Sequence, residues 1–247
     1  MNTIDDGTGQ RRAKREPIFN VPSVLAWIVG ALWVIHICRV YVLTVVQDDI
    51  LLRQGGFIPA RYGISSNLQG SAWLWSPETY AFLHGDFVHL TVNSLFLVIF
   101  GAIVARRIGA VRFVLFWILS AAFSVVVYWL FNPDSTIPVI GASGVISALM
   151  GAAARFAFSK KRGFNRLEAH RLPYQPLSAV LTNRTVVVYV VAWFVLNIVS
   201  GIGHIGYPDF GARIAWEAHL GGFLFGFFGF VFFDPLVTQQ VGRWRRS

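Results

Sequence analysis

Apolar residues in this sequence form long runs, and polar and basic residues lie mainly between the runs. A helix that crosses a membrane needs about 20 mostly apolar residues. The pattern predicts six such helices, near 21–46, 86–104, 111–131, 142–158, 185–202 and 212–233. The predicted fold is therefore an all-α, polytopic membrane protein built as a bundle of six transmembrane helices.

The composition agrees with a membrane protein. Of the 247 residues, 55% are hydrophobic and 13% are charged, whereas soluble domains have roughly 25% charged residues. These values exclude a disordered chain, a coiled coil and a disulfide scaffold, and they disfavour a soluble globular enzyme. The single cysteine, Cys38, excludes an intramolecular disulfide and a zinc site of the cysteine type. No cofactor and no metal are predicted.

The basic residues are concentrated on one side of the predicted bundle. Of the 21 Lys and Arg residues, 17 lie in the two tails and around the connections after the second and fourth spans. Because cytoplasmic segments carry an excess of Lys and Arg, both termini are predicted to be cytoplasmic. The chain then divides into a basic tail at 1–17, a membrane domain at 18–236 and a second basic tail at 237–247. The net charge of +9 reflects these loops, so no nucleic-acid partner is predicted.

The first outer connection, 47–85, is long and has aromatic residues among polar ones. It either lies in the membrane interface, with its aromatic rings at headgroup level, or is a mobile external loop. The pattern favours the interfacial position. The lipid bilayer is the expected partner, and the oligomeric state is left open by the sequence.

Polar residues inside the spans are concentrated in one layer. His89 and Asn93 lie in the second span, Ser143 in the fourth and His219 in the sixth. These three spans all run from outside to inside, so at 1.5 Å per residue the four side chains lie within roughly 10 Å of the outer end of the hydrocarbon. Polar residues at such a depth are costly and commonly functional. The layer is therefore the candidate site.

Ser143 is flanked by glycines at the start of the predicted fourth helix. Gly141 and Gly144 allow a tight bend and close approach of a substrate. Free N–H groups at a helix N-terminus favour a developing oxyanion. The alternative is that Ser143 only caps the helix.

Small residues form one face on the fourth helix and another on the sixth. They recur every four residues, at Ser143, Ser147 and Gly151, and at Ala218, Gly222 and Gly226. Such faces let membrane helices pack backbone to backbone. If they meet, the imidazole of His219 reaches the Ser143 hydroxyl as a general base reaches a nucleophile. Gly222 is thus predicted to support the site.

No carboxylate is predicted to complete this pair. Glu217 is two residues from His219, about 200° around the helix, and faces away from it. The sequence therefore predicts a Ser–His dyad and not a triad. The alternative for His219 is a hydrogen-bonded structural histidine. Asn197 in the fifth span is interpreted as a residue that forms a hydrogen bond between helices.

His89 and Asn93 are four residues apart and share one helical face. Aimed at the Ser143 layer, they would stabilise a tetrahedral oxyanion together with the Ser143 backbone N–H. The alternative is hydrogen bonding between helices. His84 lies about 140° around the helix from His89, so the two do not form a metal site on one face.

In order and spacing, these motifs resemble the rhomboid intramembrane serine proteases. The motifs are His84-x4-His89-x3-Asn93, then Gly141-Ala142-Ser143-Gly144-Val145, then Ala218-His219-x2-Gly222-x3-Gly226. The resemblance implies a six-helix bundle with a water-filled cavity open to the outer side. It assigns the nucleophile to Ser143, the base to His219, the oxyanion donors to His89 and Asn93, and support of the first outer loop to His84.

The resemblance also implies an activity and a place in the cell. The expected reaction is cleavage of single-span transmembrane protein substrates near the outer face, without a cofactor. The absence of a seventh span fits the simple bacterial type, in the bacterial inner membrane. Substrate is expected to enter beside the fifth span and the loop at 203–211, whose three glycines suggest a mobile gate.

Three positions depart from the family pattern. Many members have an acidic residue where this chain has Ala105, and many have a Trp-Arg pair where this chain has Trp75 followed by Ser76. Family members often have an aromatic residue that packs on the catalytic histidine, and this chain has Ser147 at that position. No departure removes a reacting group.

Other functions fit the same spans less well. A proteolytically inactive relative that binds membrane clients would have the same fold, but it would have no need of the Ser143–His219 pair. A transporter is disfavoured because the chain has no internal repeat. A bis-histidine haem protein would show a Soret absorbance on purification.

Overall fold

A computed structural model of the chain describes residues 3–5, 11–13, 21–63, 70–158, 166–202 and 215–237. The proposed gate loop at 203–211 lies outside the described residues, as does nearly all of the C-terminal tail. Helices dominate the described part. They are α1 (Ser23–Tyr41), α2 (Val45–Gly55), α3 (Ala72–Thr79), α4 (Phe87–Phe131), α5 (Ser143–Ala154), α6 (Leu177–Thr182), α7 (Arg184–Ile202) and α8 (Trp216–Gly229).

Short elements complete the described chain. Four 3₁₀ turns cover Pro59–Gly63, Tyr80–Phe82, Arg166–Arg171 and Phe230–Phe232. In the N-terminal tail, strands β1 (Thr3–Asp5) and β2 (Arg11–Ala13) form a small antiparallel ribbon, with Thr3 opposite Ala13.

The apolar helices match the predicted spans in position. Three stretches of the described chain are long and apolar enough to cross a membrane, at Ser23–Tyr41, Phe87–Phe131 and Trp216–Val237, and α5 and α7 are shorter apolar helices. The chain is thus a helical membrane protein. The count of six spans and the cytoplasmic side of the termini stay predictions.

Helix α4 contains both the second and the third predicted span. It has 45 residues and is interrupted at Gly109, whose backbone is not helical (φ 77°, ψ 167°). An unbroken helix of that length would extend about 67 Å, twice the thickness of a bilayer core. Because glycine adopts positive φ without steric cost, the chain can turn here. The two arms, 87–108 and 110–131, correspond to the two predicted spans.

Helix α5 is the buried centre of the bundle and packs between α4 and α8. All of its residues from 144 to 154 are buried. It is shorter than the predicted 142–158, because the backbone leaves the helix at Arg155. The Arg155 guanidinium there donates hydrogen bonds to the backbone carbonyls of Phe227 (2.6 Å) and Gln175 (3.1 and 3.3 Å).

The small faces of α5 and α8 meet, as the sequence predicts. A Cβ placed on Gly226 would collide with the backbone oxygen of Ala148, and one on Gly222 would collide with that of Gly144. On the α5 side, a Cβ on Gly151 would collide with the backbone of Phe223. Only glycine therefore allows the two helices to approach at this distance.

A buried ion pair joins the middle of α4 to the segment after α8. Both Nε and Nη2 of Arg107 donate to Oδ2 of Asp234, at 3.0 and 2.6 Å, and both side chains are fully buried. Nη1 donates to the backbone oxygens of His170 and Leu172. The guanidinium lies 4.3 Å from the centroid of the Phe156 ring. This arginine therefore stabilises the contact between α4, α8 and the α5–α6 connection.

The first outer connection is folded in its described part. Thr44 and Gln47 form a capping box at the start of α2. The backbones of Phe57 and Val139 exchange two hydrogen bonds, at 2.8 and 3.0 Å. The outer connection is thereby held to the segment that leads into α5. The indoles of α3 are partly exposed, and their position in the membrane interface stays a prediction.

The Trp-Ser sequence of α3 has its own anchors. Trp75 Nε1 donates to the Gln54 carbonyl at 3.0 Å. The Ser76 hydroxyl accepts from Arg61 Nη1 at 3.3 Å and contacts the Tyr62 hydroxyl at 3.1 Å. Arg61 thus supplies a guanidinium at this site, although it is not adjacent to the tryptophan in sequence.

Candidate active site

Ser143 and His219 are in hydrogen-bond contact. Ser143 is the first residue of α5, and His219 lies in the first turn of α8. Their atoms Oγ and Nε2 are 2.7 Å apart. The two residues are 76 positions apart in sequence, so the contact depends on how α5 and α8 pack.

Close packing of α5 against α8 brings these two side chains together. His219 lies one turn before Gly222, and Ser143 directly precedes Gly144, whose carbonyl contacts Gly222. On its other side, Gly144 leaves no room for a Cβ, because one would lie 2.9 Å from the Ser124 side chain. Larger residues at either glycine would separate the helices and lengthen the distance between hydroxyl and imidazole.

The second ring nitrogen of His219 also has a partner. Nδ1 lies 2.5 Å from Oδ1 of Asn197, which comes from α7. The Asn197 amide nitrogen donates to the Trp193 carbonyl at 2.7 Å. The sequence predicts a helix–helix hydrogen bond at Asn197, and this is confirmed. The sequence does not predict that this partner is His219, because only a carboxylate was expected as the third group beside the Ser–His pair.

Glu217 faces away from His219, as its position on the helix predicts. Its Oε1 accepts a hydrogen bond from the Asn132 amide at 3.3 Å, at the end of α4. Within the described residues, the recorded partner of His219 Nδ1 is an amide and not a carboxylate.

His89 and Asn93 lie against the backbone of Gly141, just before Ser143. A Cβ on Gly141 would lie 2.7 Å from His89 Nε2 and 3.5 Å from Asn93 Nδ2, and Gly141 has φ +120°. Only glycine fits this conformation and this space. Two side-chain nitrogens therefore lie close to Gly141, next to the N-terminus of α5.

Both nitrogens beside Gly141 are available to donate. His89 Nδ1 faces the backbone N–H of Gly85 at 3.5 Å, which favours the tautomer with its proton on Nε2. Asn93 is buried, and its Nδ2 has no hydrogen-bond partner within the described part of the chain. Buried donors without a partner are rare in folded proteins and call for an explanation.

His84 lies behind this layer and contacts His89. The two ring centroids are 5.0 Å apart, with the rings edge to face. Burial, with a further contribution from His89, lowers the pKa of His84 to about 3, so its ring is neutral. Its backbone oxygen accepts a hydrogen bond of 2.6 Å from Arg39 of α1. Arg39 was not predicted as part of the site.

The remaining candidate side chains have other partners. The Ser147 hydroxyl donates to the Ser143 carbonyl at 2.8 Å, within α5. The described part of the chain contains no group of three or more His, Cys, Asp or Glu residues arranged to hold a metal ion. The described site consists of a serine, two histidines and two asparagines, with one histidine and one asparagine packed against Gly141.

Comparison with known proteins identifies the family. The family model described as "Rhomboid domain" matches residues 71–235, about two thirds of the chain. The chain belongs to the rhomboid family. The matched region contains α3 to α8 and every candidate side chain from His84 to His219, so the rhomboid domain and the site coincide.

Two relatives in the rhomboid family illustrate its range. RHOMBOID-like protein 5 of Arabidopsis thaliana is 27% identical over 176 residues, which cover 68% of this chain and 46% of the relative. Rhomboid protease GlpG of Serratia proteamaculans (strain 568) is 30% identical over 154 residues, covering 62% of this chain and 46% of the relative. The chain thus spans less than half the length of these relatives. One of the two is named as a protease.

Proposed function

We propose that this rhomboid protein is an intramembrane serine endopeptidase. The observation that carries the proposal is the 2.7 Å contact between Ser143 Oγ and His219 Nε2. A hydroxyl within hydrogen-bond reach of an imidazole is the arrangement that activates a serine nucleophile. The relative named as a protease supports the same activity.

The reaction begins with attack of Ser143 on a peptide carbonyl. Oγ forms a bond to the carbonyl carbon while its proton passes to His219 Nε2. The tetrahedral intermediate then collapses, the carbon–nitrogen bond breaks, and the imidazolium returns the proton to the leaving amine. A water molecule next loses a proton to Nε2 and attacks the carbonyl carbon of the Ser143 ester. The bond from that carbon to Oγ then breaks, the imidazolium returns the proton to Oγ, and the new carboxyl group is released.

The oxyanion forms beside Gly141. Its donors are His89 Nε2, Asn93 Nδ2 and the backbone N–H of Ser143 at the start of α5. Asn93 Nδ2 has no other partner in the described chain, so it is free to bind charge that develops only in the transition state. Interactions of this kind lower the barrier more than equal binding of substrate would.

The substrates are single-span membrane proteins, cut near the outer face of the cell membrane. A peptide bond inside a spanning helix is shielded by the hydrogen bonds of that helix. Small or helix-breaking residues next to the scissile bond are therefore expected, because they let the substrate unwind beside Ser143. The side of α7 is the expected entrance, since most of its described side chains are exposed.

Replacing Ser143 tests this proposal directly. The full chain and the Ser143→Ala variant are purified in detergent, reconstituted, and given a single-span fluorogenic substrate. Ser143→Ala is expected to fold and to show no cleavage. Ser120→Ala is the matched control, because the buried Ser120 hydroxyl donates a hydrogen bond to the Trp117 carbonyl within its own helix.

Labelling with a fluorophosphonate probe separates the enzyme from a client-binding relative. The unchanged chain and Ser120→Ala are expected to be labelled, and Ser143→Ala is not. Undiminished cleavage by Ser143→Ala would refute the assignment of the nucleophile. A folded wild-type chain that neither cleaves nor reacts with the probe would favour client binding.

A further inference from the structure

We propose that Asn197 is a positioning residue that holds His219 in the tautomer and orientation required of a general base. This inference rests on the proposed function of Ser143 and His219. It adds a third side chain, from a different helix, that does not touch the substrate and acts through the imidazole.

The hydrogen bonds of Asn197 determine which way its amide points. Nδ2 donates to the Trp193 carbonyl at 2.7 Å, so Oδ1 is the atom that faces His219 Nδ1 at 2.5 Å. In the flipped amide, Oδ1 would face the Trp193 carbonyl and both would be acceptors. The Trp193 carbonyl therefore selects the orientation that is observed.

The orientation of the amide in turn selects the tautomer of the imidazole. A side-chain carbonyl oxygen can only accept, so Nδ1 of His219 must carry the proton. A neutral imidazole has one N–H, and Nε2 is then left with its lone pair toward Ser143 Oγ at 2.7 Å. This is the tautomer that can remove the serine proton. The opposite tautomer would place an N–H against the nucleophile.

Aromatic packing fixes Asn197 against α8. One turn before it, the Trp193 ring stacks on Phe223 of α8, with centroids 4.6 Å apart and planes 25° apart. Asn197 lies four residues after Trp193, and His219 lies four residues before Phe223. The helices thus run antiparallel here, and the hydrogen bond lies one turn along from the stack.

Two other polar side chains of α8 and α5 form hydrogen bonds with partners other than His219. Glu217 accepts from Asn132, and the Ser147 hydroxyl donates to the Ser143 carbonyl. A neutral amide at this position also avoids placing a carboxylate at membrane depth, where a charge is costly. The Asn197 amide does less than a carboxylate to stabilise the imidazolium, but it fixes the same tautomer.

The test measures kcat, KM and pH dependence for Asn197 variants of the full chain. Loss of a hydrogen bond to a group that becomes charged in the reaction is expected to lower kcat by about 10- to 150-fold in Asn197→Ala. KM is expected to change by less than about twofold, because the amide does not contact substrate. Active sites are counted with the fluorophosphonate probe, so that misfolded protein does not lower the apparent kcat.

Asn197→Asp distinguishes positioning from simple helix packing. It keeps an accepting oxygen for Nδ1, so it is expected to retain more activity than Asn197→Ala. Its carboxylate stabilises the imidazolium, so the acid limb of the kcat–pH profile is expected to move to higher pH. Asn132→Ala is the matched control. It removes another asparagine that contacts the first turn of α8, and its kcat per active site is expected to stay within a few-fold of wild type.

The outcomes separate this inference from the proposed function. If wild type cleaves and Ser143→Ala does not, but Asn197→Ala keeps the wild-type kcat per active site, only the role of Asn197 is overturned. An Asn197→Asp profile identical to that of wild type would overturn it as well. If the wild-type chain has no activity, ¹⁵N shifts of the His219 ring still report the tautomer. Protonation at Nδ1 that is lost in Asn197→Leu supports the inference, and protonation at Nε2 in the wild-type chain overturns it.

Discussion

Replacing Arg107 with alanine removes the partner of a fully buried carboxylate. Arg107 donates two hydrogen bonds to Asp234 and two to backbone carbonyls of the α5–α6 connection, and its guanidinium lies over the Phe156 ring. In the variant, the Asp234 carboxylate keeps, among the described residues, the hydrogen bond from the Leu236 backbone N–H. A charge thus stays inside the protein without an opposite charge.

The expected loss of stability is large. Removing one member of a buried ion pair costs about 3–5 kcal/mol. For a protein of this size, each kcal/mol shifts Tm by about 2–4 °C, so Arg107→Ala is expected to lower Tm by roughly 6–20 °C. Arg107→Met combined with Asp234→Leu buries no charge, and it is expected to recover most of this loss.

Circular dichroism of the full chain in detergent, followed as temperature rises, measures the effect. Arg53→Ala is the matched control, because Arg53 pairs with Asp49 at 2.8 Å while both side chains are exposed, and its Tm is expected to stay unchanged. The reasoning is refuted if Arg107→Ala lowers Tm no more than Arg53→Ala. It is also refuted if the double variant is less stable than the single one.

Three further substitutions test other parts of the structure. Gly226→Ala is expected to lower Tm by several degrees, since its Cβ collides with the α5 backbone, whereas Gly229→Ala, with only ring atoms at 3.9 Å, leaves Tm unchanged or raises it. Gly141→Ala is expected to abolish cleavage and to lower Tm, because Gly141 has φ +120° and an added Cβ would displace His89; normal turnover would contradict that role of Gly141. Burial raises the pKa of Glu78 to about 7 from 4.5, so the outer segment is most stable below pH 4.5 and loses stability as pH rises through about 7. Glu78→Gln should flatten this dependence in hydrogen exchange, and an unchanged profile would contradict it.

The positions of the spans can be predicted from the sequence, but the residues at which the helices end are predicted less well. Apolar runs predict where helices lie, and Gly109 falls in the predicted connection between the second and third spans. The end of α5 at Ala154 was not predicted, because Arg155 is followed by the apolar residues 156–158. Charge counting predicts the side on which Arg107 lies. It cannot predict that this arginine is buried, since Asp234 is 127 positions away in sequence.

The parts of the candidate site that lie in local sequence motifs could be predicted. Ser143 lies on one face of small residues and His219 borders another, both faces can be counted from spacing, and they meet as expected. Asn197 lies on α7, which has no such face, and a single asparagine in a span fits any helix–helix hydrogen bond. Its partner depends on the rotation of α7 against α8. That rotation is set by the stack of Trp193 on Phe223, which no spacing rule reveals.

Two features of the site geometry are set by different helices, and these helices differ in how tightly they are packed. The distance from Ser143 to His219 is set by α5 and α8, whose backbones touch through glycines and cannot slide without collision. The orientation of the imidazole is set by α7, where Val186 and Trp193 are the buried hydrophobic residues in its described part. A displacement of α7 would therefore remove the Asn197 hydrogen bond from the ring while Ser143 and His219 stay close together. Under the proposed function, the position of α7 would thus decide whether the imidazole is oriented as a base.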